Sequence, residues 1–411
     1  MDAQFTEMLR RYADVAVHVG VNLQPGQELI VSGDLNTAPL VREIVRSAYE
    51  GGAPYVHVFW SDEQVGLARF KHAPRDTFGE TPEWPIRSRA ELIDAGAAML
   101  TIASEDPDLL REQDQDLIRT AQRAAAERSK PIRDRVTNSA LNWAIVAAPS
   151  RSWAAKVFPN TPPDEQQQQL WNAIFATCRI DQADPVAAWK EHIASLAARS
   201  AYLNNKRYSA LAYRGPGTDL TLGLADGHTW ISGSMQSKRG IEFVANLPTE
   251  EVFTMPHHAR VDGTVRSTKP LSLGGTLIED FSVTFREGRV VDVQAARGAD
   301  MLRHLVATDE GAARLGEVAL VPENSPIAQS NRIFFNTLFD ENAASHIALG
   351  MAYRFTMAGG LDKSDEEFAA AGGNNSAVHV DFMIGSGQVD IDGVREDGTR
   401  EPVMRAGEWA F

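Results

Sequence analysis

The chain has 411 residues, of which 43% are hydrophobic and 23% are charged, as in folded globular proteins. One hydrophobic core rarely supports this length, so two domains are expected. The net charge of −15 argues against a nucleic-acid partner, because phosphate binding needs a basic surface. No apolar run approaches the roughly 20 residues that span a bilayer, no secretory leader follows Met1, and Cys178 has no second cysteine to pair with. A cytoplasmic protein without membrane contact is therefore predicted.

The first half of the chain alternates between helical and strand patterns. Apolar residues at helical spacing predict helices at 6–17, 37–49, 114–128, 165–177 and 185–203. Short apolar runs predict strands at 28–32, 54–59, 97–103 and 143–148. Strands separated by helices of this length favour a mainly parallel sheet with helical crossovers. No glycine-rich phosphate loop follows a strand, so nucleotide binding is unsupported. We predict an α/β domain over residues 1–204.

After about residue 205 the pattern changes to strands and hairpins. Apolar runs at 208–213 and 220–224 flank a glycine-proline turn at 215–217. Alternating apolar residues at 281–285 precede the turn Glu287-Gly288, which is a strong hairpin signal. The second domain, residues 205–411, is therefore predicted to be mixed α+β and largely antiparallel.

The segment His379-Val380-Asp381 has the most informative pattern in this second domain. Its apolar flanks predict a buried strand, in which residues two apart point to the same face. An imidazole and a carboxylate in an apolar wall are costly unless they are compensated, and a metal ion is the usual compensation. The alternative is a hydrogen-bonded His–Asp pair in a core, which the triplet taken alone slightly favours.

Three other places carry ionisable groups in apolar surroundings. Glu250 and Glu251 follow a proline turn, and only one of them can face a given site if the segment is extended. Glu317 opens an apolar strand, and His346 and Tyr353 lie on one face if their segment is helical. Taken singly, each has an ordinary explanation: a solvated loop, an exposed strand edge and a satisfied core histidine.

Together these positions offer three carboxylates, two imidazoles and one phenol, counting one acid of the Glu250-Glu251 pair. Hard oxygen and imidazole ligands suit two divalent ions such as Zn²⁺, Co²⁺ or Mn²⁺ that share bridging carboxylates. Paired ions generate hydroxide at neutral pH and polarise a carbonyl, and hydrolysis of an amide requires both effects. The groups are scattered over the second half, so only the fold can bring them together.

Four segments, in order, resemble motifs of the thermophilic aminopeptidase family of metallopeptidases. The segments are NLPTEEVFT at 246–254, GEVALVP at 316–322, FNTLFDENA through HIALG at 335–350, and HVDFMIG at 379–385. The N-terminal half resembles the family more weakly, and the total length is similar. Four long motifs in the family's order are very improbable by chance.

The resemblance implies a set of functional residues and partners for this chain. The implied metal ligands are Glu251, Glu317, His346, His379 and Asp381, and the implied catalytic residue is Tyr353. It also implies two divalent ions per subunit (Zn, Co, Mn or Mg) and a homodimer that encloses the active site. His257 matches a Pro-His pair of the family and is interpreted as a supporting or structural residue.

The predicted function is a metal-dependent aminopeptidase that hydrolyses the N-terminal peptide bond of short peptides. A metal-activated water attacks the carbonyl, Tyr353 helps to stabilise the oxyanion, and Glu250 is the candidate that carries the proton to the leaving amine. One alternative is a dinuclear amidohydrolase acting on a non-peptide amide metabolite. Another is a binding protein with purely structural metals, although structural sites are normally saturated by protein ligands.

Overall fold

The computed structural model describes residues 3–104, 106–273 and 276–411. Its chain forms two compact units, the first made of Met1–His192 and Ser234–Pro248, the second of Ile193–Gly233 and Thr249–Phe411. The chain therefore leaves the first unit, returns to it briefly and leaves it again. The domain boundary after residue 204 stays a prediction.

A four-stranded parallel sheet organises the first unit, with strand order β2-β1-β3-β4. The strands are β1 (Leu29–Asp34), β2 (Val56–Ser61), β3 (Ala98–Ala103) and β4 (Trp143–Ala147). Parallel neighbours need long crossovers, and helices provide them. Helix α1 (Ala3–Val15) precedes β1; the crossover helices are α2 (Ala38–Glu50) after β1, α3 (Glu63–His72) and α4 (Trp84–Ala95) after β2, and α5 (Gln115–Thr137) after β3. Helices α6 (Arg151–Val157) and α7 (Gln166–Thr177) follow β4, and α8 (Pro185–Lys206) begins in the first unit and ends in the second. The predicted α/β architecture is confirmed.

Burial on both faces explains why the first half of β1 is a continuous apolar run. Leu29, Ile30 and Val31 are successive residues of β1, and all three are fully buried. At the end of β4 the Tyr12 hydroxyl donates to the Ala147 carbonyl (3.1 Å) and accepts from the Ala147 N–H (3.0 Å).

Among the helices of the described residues, none has the length and apolar character that crossing a membrane requires.

The second unit is built mainly from antiparallel strands, as predicted. In chain order the remaining strands are β5 (Ala210–Gly215), β6 (Thr218–Leu224), β7 (Ile231–Ser232), β8 (Met235–Gln236), β9 (Glu242–Phe243), β10 (Val252–Thr254), β11 (Pro256–Arg266), β12 (Leu271–Leu273), β13 (Thr276–Arg286), β14 (Arg289–Arg297), β15 (Leu315–Leu320), β16 (His346–Gly350), β17 (His379–Met383), β18 (Asp390–Val394), β19 (Arg400–Arg405) and β20 (Glu408–Trp409). Short helices join some of them: α9 (Ala299–Val306), α10 (Pro326–Ser330), α11 (Thr337–Asp340) and α12 (Asp365–Ala370). Strands β8 and β9 belong to the segment that returns to the first unit.

Two sheets result in the second unit. One has nine strands in the order β12-β13-β11-β6-β5-β18-β19-β20, with β14 added beside β13. The other has five strands in the order β17-β16-β15-β10-β7. Both predicted hairpins, β5–β6 and β13–β14, are present, and Glu287 and Gly288 adopt the positive φ angles that a tight hairpin turn requires.

The five-stranded sheet separates apolar from ionisable side chains by its register. Val318 pairs with Ile347, and Ile347 pairs with Phe382, so these residues share the face that packs in the hydrophobic core. Ala348 pairs with Glu317 on one side and with Asp381 on the other. This second row therefore lies on the opposite face, because side chains alternate along a strand.

A β-bulge at Gly316 allows the two faces to coexist on strand β15. Leu315 pairs with Leu349 in the core, whereas Glu317, two residues later, pairs with Ala348 on the other face. In a regular strand residues two apart point the same way, so the extra residue is what turns Glu317 away from the core. A Cβ at Gly316 would lie 2.3 Å from the carbonyl oxygens of Gly350 and Met351.

Residues 346–353 do not form the helix that was considered from the sequence. His346 begins β16, which pairs with β15 on one side and β17 on the other. All five residues of β16 are buried, so their alanine and leucine content carries no periodic signal. Pairing on both edges outweighs the modest helix propensity of such residues.

Replacing Gly316 with Ala should destabilise the second unit. The added methyl group meets backbone atoms rather than a movable side chain, so strand β15 or β16 has to shift, at a cost of about 1–3 kcal/mol. Denaturant unfolding of the purified variant measures this loss. The control is Gly66→Ala in α3, where the added Cβ has no heavy atom within 4 Å among the described residues. That variant should be neutral or slightly stabilised, and equal stability of the two variants would contradict the bulge argument.

Candidate metal centre

Five ionisable side chains converge on the face of the five-stranded sheet that lies opposite the hydrophobic core. They form two groups, Glu251–Glu317–His346 and Glu317–His379–Asp381, whose nitrogen and oxygen atoms lie within 4.8 Å of one another in each group. Glu317 belongs to both groups. The structure thus brings together all five residues that the resemblance implied as ligands, from strands β15, β16 and β17 and the residue preceding β10.

Both histidines are oriented by backbone carbonyls. His346 donates its Nδ1–H to the carbonyl of Ala344 (3.1 Å), and His379 donates its Nδ1–H to the carbonyl of Met351 (2.7 Å). In the neutral imidazole this arrangement leaves Nε2 as the atom with the free lone pair. Each Nε2 points at carboxylates of its own group, which is the orientation that a metal-ligating histidine adopts.

The Glu317 carboxylate spans the two groups. Its Oε1 lies 3.5 Å from Nε2 of His346, and its Oε2 lies 3.8 Å from Nε2 of His379. Glu251 Oε2 and Asp381 Oδ1 are buried and have no hydrogen-bond partner among the described residues, although they lie 3.2 Å and 3.4 Å from the histidine nitrogens. Buried carboxylate oxygens without donors are costly in a protein interior, and they are the atoms that a cation would satisfy.

The charges of the cluster are poorly balanced by the protein alone. Burial and the charges of Asp381 and Glu251 raise the pKa of Glu317 to about 7. Against the effect of burial, the carboxylate of Asp381 raises the pKa of His379 to about 10. Without metal ions, the raised pKa values of Glu317 and His379 keep protons on the cluster. Divalent ions that bind there would displace these protons. The donor set and its geometry fit such ions.

Small residues leave room between the candidate ligands. Ala348 lies between Glu317 and Asp381 in the sheet register, and Ala319 is the neighbour of His346. Gly350, with a φ of 106°, pairs with His379 at the end of the same face. The face therefore combines long polar side chains with very short neutral ones, which opens a space between the polar atoms.

The other predicted site residues lie in different positions. The Tyr353 ring is 4.8 Å from the His379 ring, and burial together with the Glu317 carboxylate raises the pKa of its hydroxyl, which stays protonated. Glu250 is buried and its backbone N–H donates to Asn342 (2.8 Å), but its carboxylate belongs to neither group. His257 also lies outside both groups and stacks on His258 in β11.

Glu341 is an acidic residue of the site that was not predicted from the sequence. It lines a cavity of about 200 Å³ together with His379 and Asp381. Burial and the charges of Glu251 and Asp381 raise the pKa of its carboxyl well above the usual range. The available signal was two successive acids, Asp340 and Glu341, directly after the apolar pair 338–339 in one of the family-like segments.

Comparisons with known proteins find similar proteins that match nearly the whole chain. The family model described as thermophilic metalloprotease (M29) matches residues 5–409. Aminopeptidase 2 of Geobacillus stearothermophilus is 50% identical over 403 residues, 98% of each chain, and aminopeptidase AmpS of Bacillus subtilis is 47% identical over 99% of each. The solved structure of wild-type AmpT from Thermus thermophilus superimposes with a TM-score of 0.94 at 44% identity, covering 99% of this chain and all of that one.

The shared carboxylate leads to an asymmetric prediction about bound metal. Glu317→Gln alters both groups, so metal content should fall close to zero, whereas His379→Ala alters one group and should remove about half. Elemental analysis of dialysed protein measures both values. His304→Ala, at an exposed position of α9, is the matched control and should keep the wild-type content. A full metal complement in Glu317→Gln would show that the groups do not share this residue.

Proposed function

The chain belongs to the thermophilic metalloprotease family M29, and from this premise we propose that it is an aminopeptidase that uses two divalent ions to hydrolyse the first peptide bond of short peptides. The observation that carries the proposal is that Glu317 belongs to both groups of candidate ligands. One of its carboxylate oxygens lies beside each histidine. Residues Glu251 and His346 would hold one ion, His379 and Asp381 the other, and Glu317 both.

Two bound divalent ions would supply a water made nucleophilic at neutral pH and a polarised substrate carbonyl. The protein residues have their own tasks beside this chemistry. The backbone carbonyls of Ala344 and Met351 keep both imidazoles in the ligating tautomer. The protonated Tyr353 hydroxyl is the donor that we assign to the oxyanion of the tetrahedral intermediate, since the Tyr353 ring lies beside His379.

Two glutamates are candidates for the group that moves the proton from the water to the leaving amine. Glu250 was predicted from the sequence and remains a candidate because it is buried next to Glu251. Glu341 is favoured by position, since it lines the same cavity as His379 and Asp381. A carboxylate at the edge of the reaction space is what such a transfer requires.

The proposal includes the identity of the metal, the assembly and the location. Oxygen and imidazole donors suit Zn²⁺, Co²⁺ or Mn²⁺, and Mg²⁺ is the weaker fit because it prefers oxygen ligands. A homodimer rests on the family resemblance. A cytoplasmic location accords with the single cysteine, Cys178, which is buried and has no second cysteine in the chain for a disulfide. Metal add-back, sedimentation and cell fractionation test these three points separately.

The function is tested with paired peptides that differ only at the N-terminus. Metal-loaded protein should release the first amino acid from short peptides with a free α-amine, stepwise, and should leave the N-acetylated versions intact. Chelation should abolish the release and metal add-back should restore it. Mass spectrometry of the products distinguishes the outcomes. Efficient cleavage of acetylated peptides, or cleavage of non-peptide amides alone, would overturn the proposal.

Replacing Tyr353 with Phe should slow the chemistry without releasing metal. Only a hydroxyl is lost, so metal content should remain that of the wild type while kcat falls by ~10²–10³, the effect of losing one oxyanion donor. Steady-state kinetics with elemental analysis provide both readouts. The matched control is Tyr213→Phe, because the buried hydroxyl of Tyr213 has no hydrogen-bond partner among the described residues.

Parallel loss of metal and activity in Tyr353→Phe would instead assign Tyr353 to holding the site together. The same pair of measurements on Glu250→Gln and Glu341→Gln separates the two proton-transfer candidates. The carrier is the glutamate whose replacement lowers kcat and leaves the metal content intact.

A further inference from the structure

The cavity that contains Glu341 has a second, apolar side that the proposed chemistry does not use. Its volume is about 200 Å³, below the roughly 300–1,000 Å³ of pockets that take drug-sized ligands. Leu271, Leu273, Phe335 and Met383 contribute apolar side chains to the lining. A cavity of this size and character suits one amino-acid side chain rather than a longer stretch of peptide.

Phe335 is held in this lining by an unusual backbone conformation. Its φ of 55° places a bulky residue in the left-handed region, which is rare without glycine or asparagine. The neighbouring N–H groups of Phe334 and Asn336 donate to the two oxygens of Asp340, at 2.6 and 3.1 Å. The carboxylate therefore holds the backbone on both sides of Phe335. Such strain is concentrated at ligand-binding positions.

The reacting groups border the same cavity, which fixes which part of a substrate it can hold. His379 and Asp381 line it, and so does Glu341, so the scissile bond would lie at its edge. Acidic lining attracts a free α-ammonium group and repels a second negative charge. The remainder of a peptide has to continue away from the cavity, because its volume admits a single side chain.

Resting on the proposed aminopeptidase function, we propose that this cavity binds the side chain of the substrate's first residue and that Phe335 determines its specificity. The favoured substrates are peptides that begin with a medium-sized apolar residue such as leucine. Peptides that begin with glycine leave the apolar lining unfilled, and those that begin with glutamate place a carboxylate beside Asp340 and Glu341.

Two sets of dipeptides test the assignment, one varying the first residue before alanine and one varying the second residue after leucine. With wild-type protein, kcat/KM should be at least about tenfold higher for Leu-Ala than for Gly-Ala, on the scale of apolar pocket discrimination, and lowest for Glu-Ala. Phe335→Ala enlarges the cavity, so the ratio of Trp-Ala to Leu-Ala should rise by about tenfold or more. Phe335→Leu should give a smaller rise and keeps the position apolar if the alanine variant is unstable.

The control is Leu361→Ala, which changes an exposed apolar residue outside the cavity lining and should leave every ratio unchanged. The inference is overturned if wild-type protein is indifferent to the first residue, or if the Phe335 variants stay active with the wild-type order. A change confined to the second-residue set would assign the cavity to the leaving side and also overturns it. Absence of cleavage of any free-amine dipeptide by wild-type protein would instead refute the proposed function.

Discussion

The arrangement of the second unit depends on placing three carboxylates and two imidazoles side by side in a protein interior. Such a cluster is unfavourable by itself, because burial raises the pKa of Glu317 while its neighbours Asp381 and Glu251 add like charge. Divalent ions would convert this repulsion into ligation. Without such ions the cluster is a structural cost, which is typical of sites that evolved for chemistry.

Features of the backbone, more than side chains, allow the sheet to accommodate this cluster. A bulge at Gly316 lets Leu315 face the core and Glu317, two residues later, face the site. Carbonyl groups orient both imidazoles, so their tautomers do not depend on mobile groups. Ala319 and Ala348 keep the space between the polar atoms open. Each feature is local, yet all act on the same face of one sheet.

Substrate selection and chemistry use neighbouring surfaces of the same unit. The carboxylate of Asp340 shapes the backbone around Phe335, and the next residue, Glu341, borders the reacting groups. One short segment after α10 thus contains both Phe335, which lines the apolar side of the cavity, and Glu341, one of the two candidates for proton transfer. The two successive acids after the apolar residues 338–339 therefore have different tasks: Asp340 accepts backbone N–H groups, and Glu341 lines the cavity.

The sequence by itself determined the class of both units, because period-two and period-3.6 patterns depend only on local alternation. It also singled out His379 and Asp381, since residues two apart in a strand share a face regardless of the rest of the fold. The structure alone decided that His346 lies in a strand, because β15 and β17 pair with both of its edges. It likewise decided that Glu341 borders the site and that Glu250 belongs to neither group. Those positions depend on contacts between distant segments, and no local pattern encodes such contacts.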